Sequence, residues 1–258
     1  MKTYTSLDVA LVDFNTFQLY PGAEEFQQEF KDFAISRLIY RFYDDKTLGD
    51  AMRKLESVHI GYKKFYGLEF ESDEEMASYP CVWVSFSSGA DILKEKSDIL
   101  TVDAKKIGKE NFKDDVASDA LIFTKAAKDF FMQEVSTIKF ELITDTTGKK
   151  EFFKPTDIHV LSLPFIYKDV QEIKPATGKN SEAYVANGSD ERVYFSEAAL
   201  SEIKDNVFCF CRKFEYNGNI YPSANTYIVA TGAFANKLKN QFGTTDQINI
   251  KAITLDKV

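Results

Sequence analysis

Tyr79-Pro80-Cys81-Val82-Trp83-Val84-Ser85-Phe86-Ser87 reads as a β-strand and sets the class of fold. Val82, Val84 and Phe86 point to one side and Trp83, Ser85 and Ser87 to the other, the period of two that a pleated strand imposes. Ser88-Gly89 ends it. Upstream, residues 7–20 alternate around Leu7, Val9, Leu11 and Phe14 until Pro21-Gly22, which predicts another strand. Between these two strands the spacing changes. From Glu24 to Tyr43, Phe26, Phe30, Phe33, Leu38 and Arg41 recur at intervals of three to five, widened by Ile35, Ile39 and Phe42, and predict a long helix. A shorter helix is expected around Leu48, Met52 and Leu55. His59 to Glu71 returns to period two, and Ser72-Asp73-Glu74-Glu75 reads as an acidic loop.

Downstream, Ile99-Leu100-Thr101-Val102 predicts a short strand. Residues 109–135 predict a second long helix through Phe112, Val116, Ala120, Phe123, Ala127 and Phe131. Ile138, Phe140 and Leu142 alternate with charged residues, Asp145-Thr146-Thr147-Gly148 turns the chain, and Phe152-Phe153 begins the return strand. The apolar run 157–167 is interrupted by Pro164, which suits an edge or a strand end. Residues 171–182 read as a linker or loop, and a hairpin is expected around Asn187-Gly188, between Tyr184-Val185 and Val193-Tyr194-Phe195. Ser196 can cap a helix from Glu197 to Lys204. Strands are expected at Val207–Tyr216, Tyr227–Thr231 and Ile248–Ala252, with a helix at 233–241. The sum is about ten strands with two long and three short helices. They do not alternate strictly, so the expectation is α+β with a mainly antiparallel sheet. It is organised as an N-terminal lobe (1–108), a connecting helix (109–135) and a β-rich C-terminal lobe (136–258), or as one single domain. No internal repeat of fixed period is evident.

Composition narrows the chemistry. The 258 residues include 23 Phe and 13 Tyr but two His and three Cys. Rings at this density supply large, shaped apolar contacts, while the usual carriers of acid-base and thiol chemistry are scarce. A net charge of -8 argues against a sequence-blind grip on duplex nucleic acid and suits selective docking to a partner. Cys209 and Cys211 flank Phe210 on one strand, their side chains about 7 Å apart on a shared face, so free buried thiols are expected. The absence of an apolar run behind Met1 and of any long apolar stretch predicts a chain that is cytoplasmic, or assembled in the cytoplasm into a particle, with no membrane partner. No cofactor is expected. Asn187-Gly188-Ser189 then reads as a turn and not as a glycosylation acceptor.

Several short motifs have plainer readings. Gly148-Lys149-Lys150 and Gly178-Lys179-Asn180 lack the earlier Gly and the following Ser or Thr of a phosphate loop. Asp145-Thr146-Thr147-Gly148 carries one residue too many for an aspartic-protease turn and reads as a hairpin. Asp157 and His159 share a strand face as a two-ligand metal half-site, or else His159 simply bonds its neighbour. The paired acids Asp44-Asp45, Glu74-Glu75 and Asp114-Asp115 read as solvated faces. The least bland cluster is Tyr62-Lys63-Lys64-Phe65-Tyr66 between Gly61 and Gly67, followed by Arg212-Lys213-Phe214. Cations that track phosphates beside rings that stack on bases are the physics of single-strand binding. An amphipathic strand, rings inward and lysines outward, is the plainer account.

Three functions compete. The first is a non-enzymatic structural or interaction protein, a homo-oligomer or a subunit of an assembly such as a phage or virus particle. The second is a single-stranded nucleic-acid binder using Tyr62, Lys63, Lys64, Phe65, Tyr66, Arg212 and Lys213. The third is an enzyme with dispersed carboxylates. The first accounts best for many rings, an acidic balance and few reactive groups.

Overall fold

Leu7 and Val9 alternate with Ser6 and Asp8 along β1 (Lys2–Val9), the axis of the first structural unit. The computed structural model describes the chain apart from residues 14, 97–98, 116–117, 119, 168–169, 177–181, 189–193, 244–247 and 256–258. After β1 come α1 (Ala23–Glu29), a 3-10 turn (Lys31–Phe33), β2 (Ile39–Phe42), α2 (Asp45–Ser57) and β3 (Tyr62–Glu69). β1 lies between β2 and β3 and runs antiparallel to both, so β2 and β3 are parallel and α2 joins them. Leu7, Val9, Phe26, Phe30, Tyr40 and Leu55 belong to the core between this sheet and its helices. The helix predicted over Glu24–Tyr43 is therefore three structures, a short helix, a 3-10 turn and a strand. Its phenylalanine stripe holds for Phe26 and Phe30. Beyond it, Ile39-Tyr40-Arg41-Phe42 buries alternate residues, Tyr40 and Phe42, and period two wins. α2, expected as the lesser helix, is the longest of the described helices at 13 residues. Asp44 caps it by accepting from the Thr47 N–H at 2.7 Å.

The chain continues through α3 (Asp73–Ser78), β4 (Val82–Phe86), β5 (Ser88–Gly89), β6 (Leu93–Lys96), β7 (Ile99–Val102), α4 (Ala104–Ile107), β8 (Phe112–Asp115), β9 (Ala120–Phe123), α5 (Lys125–Glu134), β10 (Phe140–Asp145) and β11 (Glu151–Pro155). Then come β12 (His159–Val160), β13 (Phe165–Ile166), β14 (Val170–Pro175), β15 (Tyr184–Gly188), β16 (Tyr194–Phe195), α6 (Glu197–Asp205), β17 (Phe208–Tyr216), β18 (Asn219–Ala230), α7 (Gly232–Phe242), β19 (Ile248–Ala252) and β20 (Thr254–Leu255). One sheet has the order β5-β8-β9-β11-β10-β7-β6. The other is built on the β17–β18 hairpin, in the order β14-β15-β18-β17-β13-β16-β20, with β4 added to β18 and β19 added to β4. The chain crosses from the second sheet to the first at Ser87. β4 thus pairs with two strands from the C-terminal half, β18 and β19.

The α+β class stands, but the sheets are mixed: parallel pairs such as β7/β10, β13/β17 and β15/β18 sit beside antiparallel ones. The second long helix is also absent. Phe112 and Phe123 have helical spacing, yet they face each other across the β8–β9 hairpin. Only the ten residues after the Thr124 cap form α5. Val116 lies outside the described residues. The 145–148 turn is as expected. Asp145 sits inside it, accepting from the Lys149 N–H at 2.8 Å and the Lys150 N–H at 3.1 Å. β15 runs through Asn187 and Gly188, so no tight turn lies at those two residues. The first part of 171–182 is strand β14, and 177–181 lie outside the described residues.

One device recurs. α2, α5 and α7 each link two parallel strands with an antiparallel third strand inserted between them: β1 between β2 and β3, β11 between β9 and β10, and β4 between β18 and β19. Each is a split β-α-β unit. Each helix starts at a side-chain cap, Asp44, Thr124 or Thr231, and buries the residue seven places on: Ala51, Phe131 or Leu238.

Two of these units meet in a cluster of rings. Phe131 of α5 lies 4.8 Å from Phe123, 4.9 Å from Phe208 and 5.3 Å from Phe234, centroid to centroid. Phe112 joins at 6.0 Å from Phe131 and 4.8 Å from Phe86. Beside it, Gly232 packs its backbone directly against α3: its N–H donates to the Tyr79 carbonyl at 3.1 Å, and a Cβ would overlap the carbonyl oxygens of Met76 and Tyr79. Phe131→Ala is expected to cost about 3–5 kcal/mol in urea unfolding, because its ring is fully buried and its neighbours come from several elements. Gly232→Ala is expected to cost about 1–3 kcal/mol by the same measurement, since backbone and not a pliant side chain must move.

Candidate functional site

The pleat of the N-terminal sheet decides which side chains can act together. Leu7 and Val9 face the helices. Tyr4, Ser6 and Asp8 face the other way and line a groove of about 690 Å³, together with Arg41 from β2, Phe65 and Glu69 from β3, Asp73 and Met76 from α3, Lys239 from α7, and Ile248–Lys251 of β19. In the cross-strand register Ser6 stands between Arg41 and Phe65, Asp8 between Ile39 and Lys63, and Tyr4 opposite Gly67. The Gly is required there: the Tyr4 ring occupies the space a Cβ would fill. The Arg41 guanidinium lies 4.1 Å above that ring and donates from Nη1 to Glu69 Oε1 at 3.3 Å. Tyr43 donates its hydroxyl to the same carboxylate. Burial, then this bond to Glu69, pushes the Tyr43 hydroxyl above its usual pKa.

Most charges around the groove are already paired. Lys239 Nζ meets Asp73 Oδ1 at 2.6 Å, and Glu71 accepts from the terminal amine at 3.0 Å. Asp8 is the exception: among the described residues no hydrogen bond or ion pair engages it, although Lys63 is opposite. The sequence-predicted cluster falls on both faces of β3. Phe65 lines the groove and Lys63 shares its face. Tyr62, Lys64 and Tyr66 lie on the helix side, with the Tyr62 hydroxyl donating to Glu56 Oε1 at 3.0 Å and Lys64 Nζ 5.7 Å from the Tyr66 ring centre. Rings and lysines are therefore not sorted inward and outward. Arg212 and Lys213 are exposed at a bulge in β17, where Arg212 lies 5.5 Å from the Phe210 ring and lines a second cleft of about 920 Å³ with Trp83, Asp114 and Tyr227. β18 and β4 separate β17 from β19, so the two basic-aromatic patches do not meet.

Sequence reasoning missed the Tyr4–Arg41–Glu69 stack. Its one visible signal is Arg41, a cation inside an otherwise apolar stripe. The proposed Asp157/His159 pair is separate as well. Asp157 pairs with Lys139 Nζ at 2.8 Å, and His159 Nε2 lies 2.7 Å from Glu202 Oε1. Glu202 also accepts from the Ser162 N–H at 2.9 Å and the Ser162 hydroxyl at 2.8 Å. Among the described residues no three ligating side chains cluster.

Acid and apolar exposure concentrate on one part of the chain. Residues 1–80 hold 15 Asp and Glu against nine Lys and Arg, a formal -6 of the chain's -8. Phe17 (82% exposed), Ile35 (57%), Tyr43 (49%), Tyr20 and Ile39 are exposed on the same segment.

Two outcomes test these local environments. Cys81, Cys209 and Cys211 are free and buried, and burial pushes the Cys81 and Cys209 thiols up to about 12. A thiol reagent at pH 8 is expected to titrate none of them in the native protein and all of them in guanidinium. At Glu202, burial raises the carboxyl, but the Ser162 N–H, His159 and the Ser162 hydroxyl outweigh it and hold it below its ordinary 4.5. A lowered folded pKa gives stability that is complete above pH 4.5 and lost as pH falls toward the folded value. Glu202→Gln should accordingly flatten the fall in thermal midpoint below that pH. No protein-family model, curated protein or solved structure matches this chain.

Proposed function

We propose that this chain is a non-catalytic interaction protein, one component of a protein assembly. The observation that carries the reading is the coincidence, on residues 1–80, of most of the net negative charge with several exposed large apolar side chains. Exposed rings and branched chains gain by being covered, which is what a docking face needs. Net acid discourages indiscriminate association and selects partners of opposite sign.

The single-strand reading loses its best support, because the pleat divides Tyr62–Tyr66 between two faces and places Arg212 and Lys213 on another sheet. A phosphate-tracking groove needs its cations and rings along one path.

Light scattering behind size exclusion tests the proposal. A stable multiple of the 29.4-kDa chain, or a stoichiometric complex with a co-purifying protein, is expected. A strict monomer that retains no protein, or turnover abolished by one acid or hydroxyl replacement, overturns it. Titration with single-stranded DNA is expected to show no salt-dependent binding. Binding whose log–log salt slope falls by about one to two when Lys63 and Lys64 become Ala would instead favour the nucleic-acid reading.

A further inference from the structure

The groove between the N-terminal sheet and β19 holds two polar side chains that the described residues leave without a partner. Ser6 and Asp8 alternate along β1, so both face the groove, about 7 Å apart. Asp8 is half-buried, and no ion pair or hydrogen bond engages its carboxylate among the described residues. Ser6 is 6% exposed, and among the same residues no hydrogen bond engages its hydroxyl. Polar groups drawn out of water without a partner cost the folded chain stability, and these two face one space. The other charges there are engaged. Arg41, opposite Ser6, is held by Glu69, Lys239 by Asp73, and Glu71 by the terminal amine, while Lys251 lies 5.9 Å from the Trp83 ring centre. Lys63 stands across from Asp8 but forms no ion pair with it.

Dimensions and charge select the occupant. β3 and β19 come within 8 Å of each other, Cα to Cα, whereas a strand between them would need roughly 9–10 Å. That excludes an added polypeptide strand. A volume of about 690 Å³ suits a small molecule. The walls near Asp8 are apolar: Ile39 opposite it on β2, Phe65 on β3 and Ile250 on β19. An anion would meet Asp8 and a segment of -6. A neutral apolar molecule would cover the walls and strand the carboxylate. A metal ion needs more ligands than one carboxylate and one hydroxyl, and among the described residues no three ligating side chains cluster. An ammonium on a flat apolar body meets every requirement. It donates one N–H to Asp8 and another to the Ser6 hydroxyl, and its body lies against Phe65 and Ile39.

We propose that this groove binds a small primary amine with a planar apolar body, an arylalkylamine, with Asp8 as its counter-ion and Ser6 Oγ as a second acceptor. Bound there, the amine touches the N-terminal sheet on one side and β19 on the other, and so ties that sheet to the core beneath β4 and α7. Such a site goes beyond a role in protein assembly and is independent of the chain's oligomeric state.

The test uses the full chain and three probes that share one ring system: tryptamine, its neutral alcohol analogue tryptophol, and the anion indole-3-acetate. Calorimetry reads affinity, and amide shifts in nitrogen-15 spectra locate the contact. Tryptamine is expected to bind with a Kd of about 100 µM and to shift the amides of residues 6–8, 39 and 65. Tryptophol is expected to bind at least about tenfold more weakly, and indole-3-acetate more weakly again. Asp8→Asn is expected to weaken tryptamine about tenfold while leaving tryptophol unchanged, which also shows that the groove is still formed. Ser6→Ala is expected to weaken tryptamine about threefold. Lys63→Ala, which removes the competing cation, is expected to tighten it about twofold. Asp114→Asn, in the second cleft, is expected to change nothing. Equal binding of tryptamine and tryptophol, undiminished tryptamine affinity in Asp8→Asn, amide shifts confined to residues outside the groove, or no saturable binding at millimolar tryptamine overturns the proposal.

Discussion

The Phe131 ring is the contact on which the rest of the structure depends. It reaches Phe112 and Phe123 of one sheet, Phe208 of the other, and Phe234 of α7. The two large sheets are also joined covalently at the β4–β5 and β11–β12 crossings, and Phe86 of β4 packs on Phe112 and Phe123. Burying a Phe removes enough apolar area for about 1.5–3 kcal/mol, and each well-set ring pair adds about 0.5–1.5 kcal/mol. A cluster of this size therefore sets the mutual position of the sheets more firmly than any polar contact in the molecule. The abundance of Phe is first of all an answer to this packing problem.

The groove inherits its geometry from that cluster. Phe234 anchors α7, and Gly232 at the helix start lies flush on the end of α3. α7 carries Lys239 to Asp73 on the groove wall, and β4, whose Val82 and Val84 lie in the same core, carries β19. The far wall is therefore built on the most heavily packed part of the chain. The near wall belongs to the N-terminal sheet, which has a separate core under α1 and α2.

How much of this was legible in the sequence follows from the range of the forces involved. Local signals read well. The Tyr79–Ser87 strand, the Ser196 cap, the helix near 233–241 and the 145–148 turn are fixed by neighbours in the chain. The two long helices failed because apolar residues at helical intervals also occur in strands: Tyr40 and Phe42 alternate along β2, and Phe112 and Phe123 meet across the β8–β9 hairpin. Only the tertiary partner decides between them. The recurring split β-α-β device was hidden because its inserted strand comes from before the helix in two cases and after it in the third, so no fixed period survives. The groove was less legible still. Tyr4, Gly67, Arg41 and Glu69 are distant in sequence, and nothing local announces that a Gly in β3 makes room for a ring in β1.

That Gly also bears on what the groove is for. In a strand interior Gly loses backbone entropy and contributes no side chain. At Gly67 the space is taken by Tyr4, whose ring carries Arg41, whose charge is held by Glu69. If the groove were only a seam between two bodies, an apolar side chain would fill it with less strain and no orphan donor. Instead a cation is held there with its Nε buried and without an acceptor among the described residues. A buried donor without an acceptor costs the folded chain stability, so the cation is kept there for more than filling space.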